Sequence, residues 1–253
     1  MIFSISDISL GFLVLCRLGP VFFLFPVFSS KVVPTTVKLA LALFFTMIFV
    51  GVLPLQAPAL PSVVSVMLSG FAEILVGSFI GMASRLTFWI IELAGFIISQ
   101  EIGLMMSSAI DPITNQNSST IASVLYYFGI VIVFVTQTHH DLIRGFAHSL
   151  MYFPVGIEWL RLGSLKDLVY ETSRVFHLGV LMAAPFISIN MLINLTFAVL
   201  GRAAPKMNVF MVSFAVRILA GFFLLTSASI LLAHYIEREL GRIVPVITKF
   251  LGG

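Results

Sequence analysis

The sequence predicts an all-α integral membrane protein built from long, kinked helical hairpins, and three observations carry that prediction. Apolar residues make up 59% of the 253 and charged residues only 10%, against roughly 25% charged in a soluble globular domain. The mean hydropathy is +1.11, and several apolar runs approach the ~20 residues that cross a bilayer as a helix. The runs are continuous, unlike the ~10-residue alternating segments of a membrane barrel. Their backbone polar groups must therefore be satisfied within helices. No fixed-period repeat or low-complexity linker divides the chain, which reads as a single domain over residues 1–253.

The first apolar segment covers residues 8–28. Asp7 precedes it and Arg17 interrupts it, so it reads as a retained helix rather than a cleaved signal peptide. Pro20 and Pro26 lack a donor N–H and are expected to kink or end it. Residues 29–38, SSKVVPTTVK, form a polar break, and residues 39–55 a second apolar segment. The proline-rich QAPALP at 56–61 closes it.

Residues 62–105 are too long for one span and read as two helical arms or one bent helix, with a turn near 81–85. Gly70, Gly77 and Gly81 share a helical face, and the Gly77/Gly81 pair lets another backbone approach closely. Residues 107–119, SSAIDPITNQNSS, are the most polar stretch, with a turn at Asp111-Pro112. An apolar segment follows at 120–138, and an amphipathic stretch at 139–174 reads as short interfacial helices. Residues 175–200 and 209–236 are the last apolar segments, and the tail from Glu237 is short and mildly basic. Lysines and arginines do not sort onto one side of a regular zigzag, which argues against an ordinary transmembrane bundle.

Chemistry-bearing motifs are scarce. The net charge of +3 comes with no basic patch for nucleic acid, and the lone Cys16 excludes an intramolecular disulfide. There is no phosphate loop, zinc helix or nucleophile elbow. His139, His140, Asp141 and His148 have the types but not the spacing of a metal site, because adjacent helical residues diverge in direction. No cofactor is expected. The embedded charges Arg17, Glu73, Arg85, Glu92, Glu101 and Arg217 are costly at bilayer depth unless they face protein or water. A proton or ion relay through Glu73, Glu92 and Glu101, as in a secondary transporter or channel, stands against the blander reading, which is favoured: ion pairing between helices or subunits, or a location outside the hydrocarbon altogether. Matching inverted repeats with broken helices, which a transporter would carry, are not apparent.

The stretch GRAAPKMNVF at 201–210 separates two long apolar segments with Arg202, Pro205, Lys206 and Asn208. Pro205 can end one arm and Asn208 can cap the next, making a hairpin tip. With the following residues to 218 it resembles the signature of the FliR family of flagellar export-gate proteins, on Arg202, Pro205, Asn208, Val209 and Phe210. The chain departs from that signature at Lys206, Ser213 and Ala215. Other stretches resemble the family in the same order: RLGPVFFLFPVF with Arg17 and Pro20, KLALAL after Pro34, EIGLMMSSAIDPITN with Asp111 and Pro112, and THHDLIRGFAHSLMYFPVG.

The resemblance implies a helical export-gate assembly with FliP-like and FliQ-like subunits in the bacterial inner membrane, at the flagellar basal body. FlhB-like and FlhA-like proteins act beside it, and unfolded flagellar subunits pass through. It implies no enzymatic activity. It also implies a plug near the aspartate-proline loop, which here places Met105, Met106, Ala109 and Ile110 as a pore seal where the family often carries phenylalanine. Injectisome (SctT-like) relatives are close, and the 138–156 segment leans towards the flagellar version.

Overall fold

Prolines and glycines decide where the helices stop, and where they are crossed by others. The computed structural model describes residues 5–29, 33–56, 58, 62–105, 119–156, 165–204 and 206–250. Among these, all regular structure is helical: α1 (Ile5–Leu24), α2 (Pro26–Ser29), α3 (Thr35–Val52), α4 (Val63–Ile102), α5 (Thr120–Val135), α6 (Thr138–Tyr152), α7 (Leu165–Ala203), α8 (Val209–Leu240) and α9 (Ile243–Phe250). Five of the helices are long and apolar enough to cross a membrane, so the chain is an all-α integral membrane protein.

The two early prolines act differently. Pro26 opens α2, where a missing N–H costs nothing. Pro20 sits inside α1 and withdraws the donor for the Cys16 carbonyl, yet the helix continues to Leu24. The polar break is shorter than the sequence predicts, because α3 already starts at Thr35. Lys38 lies in its first turns, buried, with its ammonium 5.6 Å from the Phe23 ring centre.

Residues 63–102 form one uninterrupted helix of 40 residues, with no turn at 81–85. Ser62 and Ser65 start it reciprocally: the Ser65 N–H donates to Ser62 Oγ and the Ser62 N–H to Ser65 Oγ, each at 3.2 Å. At 1.5 Å per residue α4 is about 60 Å long, twice a ~30 Å hydrocarbon core. The polar residues 165–174 likewise belong to a longer element, the 39-residue α7, since nothing between Leu165 and Gly179 interrupts a helix.

The described residues gather into two compact units. The first draws on residues up to 87, 133–171 and 239 onward. In it α1 packs on α3, and α9 on α6. Leu13, Val14, Ala42, Leu150, Ile243 and Ile247 are among its most deeply buried apolar residues. Rings tie the elements together, with Phe22–Phe45 centres at 5.5 Å and Phe49–Phe146 at 5.3 Å. The short tail of the sequence is the amphipathic α9. A Cβ on Gly145 of α6 would come within 3.2 Å of Val244, so α9 lies close along that face.

The second unit draws on residues 88–132 and 172–238. Ser119 caps α5 by accepting the Ala122 N–H at 3.1 Å, and its hydroxyl also bonds to Ser99 of α4. Gly95 lets α4 and α5 touch backbone to backbone: a Cβ there would lie 2.4 Å from Ala122 Cα. Large apolar side chains such as Phe223, Ile230 and Leu219 of α8 are exposed, a pattern suited to lipid or to partner helices and not to water.

Candidate functional site

In the first unit the embedded charges build a closed polar clamp. Arg17 of α1 and Glu73 of α4 are both nearly inaccessible. Arg17 Nε donates to Glu73 Oε2 at 2.5 Å. Its Nη1 donates to two backbone carbonyls at the end of α6, Ser149 at 2.8 Å and Phe153 at 3.0 Å. The other carboxylate oxygen, Glu73 Oε1, accepts the Gly156 N–H at 3.1 Å. A buried charge is tolerable only when paired and hydrogen-bonded, and here each charge has both kinds of partner.

Two glycines make the clamp possible. A Cβ on Gly77 would sit 2.0 Å from the Arg17 carbonyl oxygen, so only glycine lets α4 approach α1 this closely. The expected close-approach pair, Gly77 and Gly81, thus packs against α1 of the same chain; Gly81 meets Leu24 and the Pro20 carbonyl. Gly156 has φ +79°, a left-handed conformation that suits glycine, and this turn brings its N–H to Glu73. Arg85, also in this unit, donates to Ser29 Oγ at 2.7 Å.

In the second unit two of the embedded charges, Glu101 and Arg217, meet amides. Glu101, in the last turn of α4, accepts from Asn190 Nδ2 of α7. Arg217 of α8 donates to Asn194 Oδ1, one turn further along α7. Glu92 lines an open groove of about 710 Å³ with Trp89, Tyr126, Tyr127, Ser123 and Thr172. Glu73 and Glu101 therefore have separate partners, which argues against a common relay through the three acids.

The end of α4 is fastened at several points. Gly103 adopts φ +89° and stops the helix, with its N–H and that of Leu104 both turned onto the Ser99 carbonyl at 3.1 and 3.0 Å. The Phe214 ring lies 3.1 Å from where a Gly103 Cβ would be, and Gly221 of α8 leaves room for Ile102. Met105 follows directly, half-buried. The other expected seal residues Met106, Ala109 and Ile110, and the turn Asp111-Pro112, lie outside the described residues.

The 201–210 stretch is a hairpin tip between α7 and α8. Asn208 Oδ1 accepts the Met211 N–H at 3.3 Å, the expected cap. Arg202, Lys206 and Phe210 are exposed, and Pro205 lies outside the described residues. Among the described residues no three His, Cys, Asp or Glu side chains are grouped to hold an ion. The His139 and His140 rings are tilted against each other, with centres 4.2 Å apart. His139 also lines an apolar cavity of about 260 Å³ with Phe22, Phe49, Phe134 and Phe146.

Sequence reasoning singles out Arg17, Glu73, Glu92 and Glu101 but misses the buried Glu171 and Glu239, and it misses the neutral partners Asn190, Asn194, Gly156 and the carbonyls of Ser149 and Phe153. Asn190 and Asn194 carry a usable signal, amides at i and i+4 in an otherwise apolar helix, and so on one face.

Spanning-length apolar helices, with Arg17 and Glu73 paired and buried inside the first unit, define an integral membrane protein. Residues 8–243 match the model of the family described as bacterial export proteins, family 1, and the chain belongs to that family. It is similar to the flagellar biosynthetic protein FliR of Escherichia coli (strain K12), 26% identical over 98% of this chain and 94% of the relative. It is also similar to the flagellar biosynthetic protein FliR of Aquifex aeolicus (strain VF5), 29% identical over 83% and 81%. The surface presentation of antigens protein SpaR of Shigella flexneri is 24% identical over 83% and 80%. A bacterial export protein with helices of this length and apolarity resides in the inner membrane.

Proposed function

We propose that the protein is a structural pore or gate subunit of the flagellar type III export apparatus, acting at the basal body without chemistry of its own. The whole chain, residues 1–253, works as one export-gate domain. It joins FliP-like and FliQ-like subunits in one hetero-oligomer, next to FlhB-like and FlhA-like proteins, and unfolded flagellar subunits pass through. The observation that carries this reading is the match along nearly the full length of both chains to a protein named for flagellar biosynthesis. Helices longer than a bilayer is thick and large exposed apolar faces support it, because both suit a chain surrounded by other subunits. In this reading Met105, Met106, Ala109 and Ile110 seal the pore, and the 201–210 tip with Arg202 and Phe210 docks against a neighbour.

The likeness to SpaR favours one second reading, the equivalent gate subunit of an injectisome. Co-expression with the neighbouring FliP-like and FliQ-like genes tests the class. A detergent-resistant complex containing all three chains is expected; recovery of a free monomer alone rejects the proposal. Restoration of motility, rather than of virulence secretion, in a strain lacking its own subunit separates the flagellar from the injectisome reading.

A further inference from the structure

The polar chain across α4, α7 and α8 has a gap in its middle. Asn190 spends its amide N–H on Glu101, and Arg217 spends Nη2 on Asn194. That leaves Asn190 Oδ1 and Arg217 Nε, two buried atoms with no hydrogen-bond partner among the described residues. One is an acceptor and the other a donor. Unsatisfied groups of this kind are rare in native structures and call for a partner. Asn190 and Arg217 both line the same small cavity, of about 10 Å³, together with Glu101 and the apolar Phe186, Ile189 and Leu224. A cavity of about 10–15 Å³ holds one water, provided that two or more polar groups reach it.

We propose that this cavity is a binding site for a single water molecule, which accepts the Arg217 Nε–H and donates to Asn190 Oδ1. The two orphan atoms are complementary in kind, and a volume of about 10 Å³ suits a single water. The bridge completes a continuous chain from the Glu101 carboxylate through Asn190 and the water to the Arg217 guanidinium and Asn194. An acid and a base embedded in apolar surroundings are thus joined through neutral dipoles instead of a direct ion pair. The site takes in Glu101 and Ile102, the last two residues of α4, so the water belongs to the joint that fastens that end to α7 and α8. This inference does not depend on the export reading.

X-ray hydroxyl-radical footprinting of the full-length protein in lipid nanodiscs, with whatever partners co-purify, tests it. Radiolysis of a bound internal water oxidises the side chains beside it. Phe186, only 3% exposed, is expected to be oxidised, whereas Ile98, 0% exposed and outside the cavity, is expected to stay protected. Arg217→Lys keeps a cation for Asn194 but removes the Nε–H, so loss of Phe186 oxidation is expected in it. Protection of Phe186 in the wild-type protein, or unchanged oxidation in R217K, overturns the proposal. Should R217K fail to assemble, a cryo-electron microscopy map that shows ordered waters decides: density between Asn190 and Arg217 supports the bridge, and its absence overturns it.

Discussion

Arg17 and Glu73, 56 residues apart in sequence, meet at 2.5 Å in a site that almost nothing outside the first unit can reach. Each is costly alone. Their worth depends on both being present, and on the carbonyls of Ser149 and Phe153 and the N–H of Gly156 that complete the set. Breaking a buried pair from one side costs about 3–5 kcal/mol, because a bare charge is left behind. Arg17→Ala and Glu73→Ala are each expected to lose stability on that scale in denaturant titrations of the purified protein. The double replacement R17L/E73L is expected to recover part of the loss. Additive losses in the double variant argue against a coupled pair.

The close approach of α1 to α4 makes a sharper prediction. Gly77→Ala forces a methyl group onto the Arg17 carbonyl and is expected to destabilise by at least the ~1–3 kcal/mol of ordinary overpacking. Gly11→Ala in α1 has open space around it. It is expected to be neutral or to stabilise by up to about 1 kcal/mol through helix propensity. Thermal unfolding midpoints that fall in both variants alike contradict the packing argument.

At the hairpin tip the two polar residues are predicted to separate by readout. Asn208→Ala removes the cap of α8 and is expected to cost about 1 kcal/mol of stability. Arg202→Ala touches an exposed side chain, so the isolated protein keeps its unfolding midpoint while recovery of the multi-subunit complex falls. If complex formation and export are both intact in R202A, the docking role of the tip is wrong.

The proposed seal predicts a leak. Replacing Met105 and Met106 together by glycine removes two flexible thioether side chains that can pack tightly yet move aside. Ion conductance of the assembled gate in planar bilayers is expected to rise. Unchanged conductance removes the seal role from this pair.

Much of the fold is legible in the sequence because membrane helices announce themselves by composition, and Pro26, Gly103 and Asn208 mark real ends. The failures share a cause. Gly81 reads as a turn signal, but in α4 it is a contact with α1, and a glycine in a sequence does not say which. The charges at 165–174 read as a separate surface helix, yet charge alone does not interrupt hydrogen bonding, and α7 runs straight through. In the tail, Ile243 and Ile247 are one turn apart and carry the face that α9 buries. At the site, the charged members stand out and the pairing does not. Arg17 could have chosen among several acids, and the carbonyls of Ser149 and Phe153 have no side-chain signature at all.

The placement of α9 also sets an order of manufacture. The first unit takes its helices from the beginning, the middle and the last part of the sequence. Its packing against Gly145 and around Ile243 and Ile247 can form only after the ribosome has made residues 243–250. Until then the face of α6 at Gly145 stays uncovered by α9. A nascent chain that stalls before residue 243 therefore lacks the helix that packs on this face.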